Sequence, residues 1–165
     1  MKIYLITDTH FNHEIIKKYC GRPDNYEDLI QKGLVQLKPE DLLIHLGDVC
    51  IGNDVEVHEK YIMPLECKKW LVRGNHDRKS NSWYMSHGWD FVGRQVKDVY
   101  FGKKILFSHK PKIDDGWYDL NIHGHFHNSH HRDQEPDLLA IKNDKHKLLA
   151  IEHHYQPVSL QKFIK

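Results

Sequence analysis

The chain has 165 residues, 39% of them hydrophobic and 28% charged, with a formal net charge of +1. That length suits one domain with a real core, and the composition is that of an ordinary globular protein. The near-neutral charge argues against non-specific coating of nucleic acid or of an anionic membrane surface, and no apolar run approaches the roughly 20 residues a membrane span needs.

The opening "MKIYLITDTH" holds one lysine and a short apolar stretch before it breaks into charge, so residues 2–7 read as a first strand rather than a signal sequence. "HEIIKKYC" has helical apolar spacing, and "NYEDLIQKGLVQL" repeats it behind Asn25 or Asp24 as cap. Strand signals follow at 41–46 and 68–73, with a helix over 53–63 that begins at Asn53-Asp54 and stops before Pro64. Alternation of this kind is an α/β pattern. Further on, 104–109 and 119–124 read as strands, and Phe101-Gly102-Lys103 as a hairpin turn. "LLAIKNDKHKLLAIEHH" reads as a second hairpin around Asn143-Asp144, 128–137 as an exposed loop, and "SLQKFIK" as a last helix behind Ser159. With no repeat or low-complexity tract, one domain over 1–165 is expected. Cys20, Cys50 and Cys67 lack CxxC spacing and read as free thiols in a reducing, cytoplasmic setting.

The 15 histidines invite a search for metal ligands. Each of five strand signals ends in a polar block: Asp8-Thr9-His10, Gly47-Asp48, Gly74-Asn75-His76-Asp77, His109, and Gly124-His125-Phe126-His127. Side chains alternate faces in extended backbone, so Asp8 and His10 are expected to point one way and Thr9 the other, with His125 and His127 repeating the arrangement. The glycines allow close approach of backbone. Sites in open α/β sheets lie outside the carboxyl ends of strands, where these blocks fall. Two Asp, one Asn and four His from these blocks are the right number and type for two borderline metal ions. Ions ~3.5–4 Å apart would clamp a phosphate and turn water into a nucleophile near neutral pH.

In order and in content, these blocks resemble the signature of the calcineurin-like metallophosphoesterases: D-x-H, GD, GNH followed by Asp or Glu, a lone H, and GHxH. The likeness runs from residue 8 to 127. It implies an α/β fold, a β-sandwich of two mixed sheets flanked by helices in four αββα layers. It also implies that Asp8, His10 and His127 hold one divalent ion, that Asn75, His109 and His125 hold the other, and that Asp48 bridges them. Manganese is expected first, with iron, zinc or nickel as alternatives. A hydroxide between the ions would attack phosphorus in line, and His76 would act as the catalytic residue on the substrate side. The protein phosphatase branch extends its second block to GDxVDRG, and here Ile51 and Gly52 replace that acid and arginine. The proportions resemble the small cap-less bacterial and phage members, so a phosphodiester of small or nucleotide type is the expected substrate. Alternatives are a phosphomonoesterase, a nuclease on short or single-stranded ends using a local basic groove (Arg22, Arg73, Arg78, Lys110), or a non-catalytic scaffold like that of retromer. Nucleic acid enters only as substrate, and no membrane partner is expected.

His13, Arg22 and Asn128 are candidate substrate contacts: His13 by its closeness to the first block, Arg22 as a forked phosphate donor, and Asn128, with His130-His131-Arg132, as a rim after the last block. Asp77 is read as the cap of a following helix.

Overall fold

The computed structural model describes residues 1–128 and 135–165, so His130-His131-Arg132 lie outside the described residues. The strands are β1 (Ile3–Ile6), β2 (Leu42–His45), β3 (Lys68–Val72), β4 (Phe91–Gly93), β5 (Gln95–Tyr100), β6 (Lys103–Ser108), β7 (Leu120–His123), β8 (His146–Leu148) and β9 (Val158–Ser159). The α-helices are α1 (Glu14–Cys20), α2 (Tyr26–Leu34), α3 (Asp54–Val57), α4 (Asn81–Ser86), α5 (Pro136–Ala140) and α6 (Leu160–Phe163). A π-helical turn, His58–Ile62, prolongs α3.

Two mixed sheets result. One has the order β4-β3-β2-β1-β9, parallel except for β9, and the other the order β5-β6-β7-β8, parallel except for β5. Period-two alternation decides what each strand buries. Ile3 and Leu5 of β1, Leu42 and Ile44 of β2, and Val72 of β3 meet Ile105 and Phe107 of β6 and Ile122 of β7 between the sheets. The opposite faces, Ile6, Leu43 and Leu71, pack on Ile16, Ile30, Leu34, Tyr61 and Tyr84 from the helical layer. On the outer face of the second sheet, a loop donates Lys112 N–H to the buried Asn121 Oδ1 at 2.9 Å. The α/β sandwich expected from the sequence is thus present.

The hairpin at 101–102 forms, with Tyr100 paired to Lys103 and both turn residues at positive φ (Phe101 54°, Gly102 75°). The second expected hairpin does not. Residues 136–140 form α5, and β8 pairs parallel to β7 instead of folding back on its own neighbour. Asn25 stands at the start of α2 but makes no capping bond with its side chain. Nor does Asp77 cap α4: Ser80 does, its Oγ accepting from Trp83 N–H at 3.1 Å. Cys20, Cys50 and Cys67 are buried thiols, none of them in a disulfide. No helix among the described residues is long and apolar enough to cross a membrane.

Candidate active site

The loops after β1, β2, β3, β6 and β7 converge on one point at the carboxyl ends of the sandwich. Backbone bonds draw them together: Asp8 N–H donates to Gly47 O (2.8 Å), His10 N–H to Asp48 O (3.1 Å), and Gly124 N–H to His109 O (3.0 Å). The close approach needs glycine. A Cβ on Gly124 would lie under 3.0 Å from Asp8 Oδ2 and from Thr7 Oγ1.

The side chains do not reach the site by strand alternation. Asp8, His10, Asp48, His125 and His127 all have left-handed backbone, with φ between 47° and 71°. Each such residue costs of order 1–3 kcal/mol and persists only where its surroundings over-determine it, although Asp, Asn and His tolerate the region best. β1 and β7 end before the motifs begin, and a run of turned residues aims the ligands inward. Thr9 does point away, its Oγ1 donating to Val49 O at 2.8 Å.

Among the described residues three groups of donors result; two lie at the motif loops, Asp8, His10 and His127, and Asp48, His109 and His125, all buried, and the third joins Cys20 and Glu152 to His127. His10 Nε2 is 3.7 Å from Asp8 Oδ1, and His127 Nε2 is also 3.7 Å from that oxygen. Asp48 Oδ2 lies 3.6 Å from His10 Nε2 and 3.3 Å from His109 Nε2. Ligands about 2.1 Å from a tetrahedral ion stand about 3.4 Å from one another. Asp8 Oδ1, both ring nitrogens of His10 and Asp48 Oδ2 are buried without a hydrogen-bond partner. Buried polar atoms are nearly always satisfied, so a donor set of this chemistry and spacing fits divalent cations. Asn75 Oδ1 reaches the second group at 3.0 Å from His109 Nε2, and His125 Nδ1 approaches that same nitrogen at 3.2 Å.

The electrostatics match. Burial raises and the neighbouring histidines lower the Asp8 carboxyl, which ends well below the usual range. Burial also dominates at His10, pulling it down to about 4 against Asp8 and Asp48. For His109 and His127 burial is outweighed: Asp48 and Asp8 hold His109 up at about 9, and Asp8, Cys20 and Glu152 hold His127 up at about 10.

His76 borders the groups from the solvent side, a third exposed, with Nε2 3.9 Å from Asp48 Oδ2 and its ring edge-on to His10 at 5.4 Å. Its own N–H donates to Asp48 Oδ1 at 2.8 Å. The His13 ring lies 5.3 Å from that of His10, and its partly buried imidazole is lowered by burial, then by His76 and Arg22. Asn128 is exposed just beyond His127.

Arg22 stands elsewhere than the forked-donor expectation required. Its guanidinium is fully buried behind the site, giving Nη2 to Asp8 O (2.7 Å), Nη1 to Thr9 O (2.9 Å) and Nε and Nη2 to Glu152 Oε1 (3.0 and 2.7 Å). With these donors spent, a substrate phosphate cannot use them. Asp77 does not cap a helix. Its carboxylate accepts from Asp48 N–H (2.8 Å), Val49 N–H (3.0 Å) and Gly74 N–H (2.7 Å), tying the β2 and β3 loops together.

Two glutamates escaped the sequence reading. Glu152 Oε1 is 2.9 Å from His127 Nδ1, and Glu135 Oε1 is 2.9 Å from His125 Nε2. Each fixes the ring nitrogen opposite the donor face, as carboxylates behind metal-binding histidines commonly do. Neither sits in a motif, and no local signal marks it.

The calcineurin-like phosphoesterase family model matches residues 1–163. The chain belongs to the calcineurin-like phosphoesterases. An uncharacterized protein of Methanocaldococcus jannaschii is 31% identical over 99% of this chain and 90% of its own length. Among solved structures, a protein of unknown function from Aquifex aeolicus superposes with a TM-score of 0.73 at 28% identity, covering 98% of this chain and 96% of that one. The E. coli phosphoesterase Yfce gives a TM-score of 0.49 at 17% identity over 76% of this chain and 69% of that one. As a calcineurin-like phosphoesterase, the chain is of a hydrolase family acting on phosphate esters with divalent metal ions, and its buried donor groups suit that chemistry.

Proposed function

We propose that this protein is a two-metal phosphoesterase that cleaves a phosphodiester by in-line attack of an activated water. The observation that carries the reading is Asp48 Oδ2: buried, without a hydrogen-bond partner, and within 3.6 Å of His10 Nε2 on one side and 3.3 Å of His109 Nε2 on the other. A carboxylate so placed suits a bridge between two cations. Asp8, His10 and His127 would hold one, and Asn75, His109 and His125 the other. Two such ions, manganese first and iron, zinc or nickel as alternatives, supply charge neutralisation at the phosphoryl oxygens and a nucleophilic water.

The chain's own residues do the rest. Glu152 and Glu135 hold one ring nitrogen each of His127 and His125, leaving the other nitrogen to be the one that would hold an ion. Asp77 and the His76 N–H hold the Asp48 loop and carboxylate in place. His76 is the catalytic residue: a third exposed beside Asp48, it donates a hydrogen bond to the phosphoryl group and a proton to the leaving oxygen. His13, packed beside His10, and the exposed Asn128 are proposed to border the substrate. A diester is favoured over a monoester because Ile51 and Gly52 replace the acid and arginine of the protein phosphatase branch. Arg22 offers no substitute from behind the site.

The test is hydrolysis of bis-p-nitrophenyl phosphate and p-nitrophenyl phosphate by metal-stripped protein, with manganese, iron, zinc or nickel restored in turn. Metal-dependent cleavage of the diester is expected, falling ~10²-fold or more in His76→Ala, the scale of a lost acid–base group. Turnover of the monoester alone would overturn the substrate class. Two bound ions without turnover of either ester would point to a scaffold.

A further inference from the structure

A cleft of about 420 Å³ opens on the Asn75–His109 side of the candidate metal centre, and five cations line it: Arg73, Arg78, Arg94, Lys110 and Lys112. Two are engaged. Arg73 gives Nε and Nη2 to Asp77 O (3.2 and 2.8 Å) and Nη1 to Asn81 Oδ1 (3.2 Å), and Lys110 Nζ stands 3.5 Å from Glu135 Oε2. The side chains of Arg78, Arg94 and Lys112 are exposed and make no hydrogen bond or ion pair among the described residues. The one carboxylate lining the cleft among the described residues, Asp77, is turned to three backbone N–H donors.

These three cations come from separate segments: Arg78 follows β3, Arg94 is the single residue between β4 and β5 where the chain changes sheets, and Lys112 follows β6. Scattered surface charges of both signs would be the ordinary result for a chain of net charge +1. Here an unneutralised basic wall shares its floor, Asn75 and His109, with the metal-binding groups. Forked guanidiniums with unused donors are the groups that grip phosphate oxygens best.

Resting on the phosphoesterase reading, we infer that this cleft holds a second phosphate of the same substrate, next to the one cleaved. The substrate is then nucleotide-like with at least two phosphates, separated by a sugar as in a nucleic-acid strand or contiguous as in a pyrophosphate. Arg78 and Arg94 are the specificity residues, and Lys112 adds charge.

The test is isothermal calorimetry on the metal-loaded protein with thymidine 5′-monophosphate, thymidine 3′,5′-bisphosphate and thymidine 5′-diphosphate. At least one two-phosphate ligand is expected to bind about 10-fold more tightly than the monophosphate, the scale of one charge-assisted hydrogen-bond set. That advantage disappears in Arg78→Gln/Arg94→Gln, while bis-p-nitrophenyl phosphate kinetics and Tm stay unchanged. An advantage for the 3′,5′-bisphosphate names the strand-like arrangement, and one for the diphosphate names the contiguous one. Equal affinity for all three ligands, or an advantage that survives the double substitution, overturns the inference. Failure of the phosphoesterase reading shows separately, as absent turnover of the chromogenic esters, and calorimetry still reads the cleft in that event.

Discussion

Gly74 passes so close to Asp48 that a Cβ on it would lie under 3.0 Å from both Oδ1 and the amide nitrogen of Asp48. The contact is with both the backbone and the buried carboxylate of Asp48, so no long flexible side chain can yield instead. Gly74→Ala must displace Asp48 or its own loop. Because misplacement by about 1 Å can cost 10²-fold in rate, turnover of bis-p-nitrophenyl phosphate should fall by about that factor while circular dichroism stays native. Unchanged turnover would show that the Asp48 carboxylate is free to move.

Metal loading should release protons. Without metal, His109 and His127 are held up at about 9 and about 10, so both carry a proton at pH 7, whereas ligation requires neutral imidazole. Apparent affinity for manganese or zinc should therefore rise with pH between 6 and 9. Calorimetric titration at pH 7 in buffers of different ionisation enthalpy reads the release directly. Buffer-independent heats would contradict it.

Arg22 should behave as architecture. Its buried guanidinium clamps the carbonyls of Asp8 and Thr9 and neutralises Glu152, which itself orients His127. Removing one member of a buried ion pair costs about 3–5 kcal/mol. In Arg22→Gln the urea midpoint should drop accordingly. A raised KM with an unshifted midpoint would place Arg22 on the substrate instead.

Asp41 is far from the site and sets part of the acid stability. Burial raises its carboxyl pKa, but the N–H groups of Lys2 (3.0 Å) and Lys38 (3.1 Å) and the N-terminal charge pull it below the ordinary value. A depressed folded-state pKa stabilises above the unfolded value of about 3.9, and that contribution is lost as pH falls through the folded value. Asp41→Asn should be less stable than wild type at pH 7, and the gap should close on acidification below about pH 4. A gap that widens in acid would reverse the sign.

What could be read in the sequence follows from short-range physics. Apolar runs of strand length placed β1, β2, β3, β6 and β7, because each strand buries a face whatever its partners. The motif residues were visible because each block ends such a run. The rest depended on contacts made at a distance. β8 joins β7 in parallel, a choice made by the neighbouring sheet edge and not by Asn143-Asp144. The left-handed backbone at Asp8, His10, Asp48, His125 and His127 exists because the loops brace one another, so alternation along an extended strand could not have described how the ligands turn inward. Arg22 and Glu152 are 130 residues apart, and only their meeting under the site removes the arginine from the substrate side. Sequence by itself determined which side chains the site has to work with. Tertiary structure decided which of them converge in the buried donor groups, which stay open to solvent and which are spent holding the others, because in a dense interior buried donors and acceptors nearly always find partners.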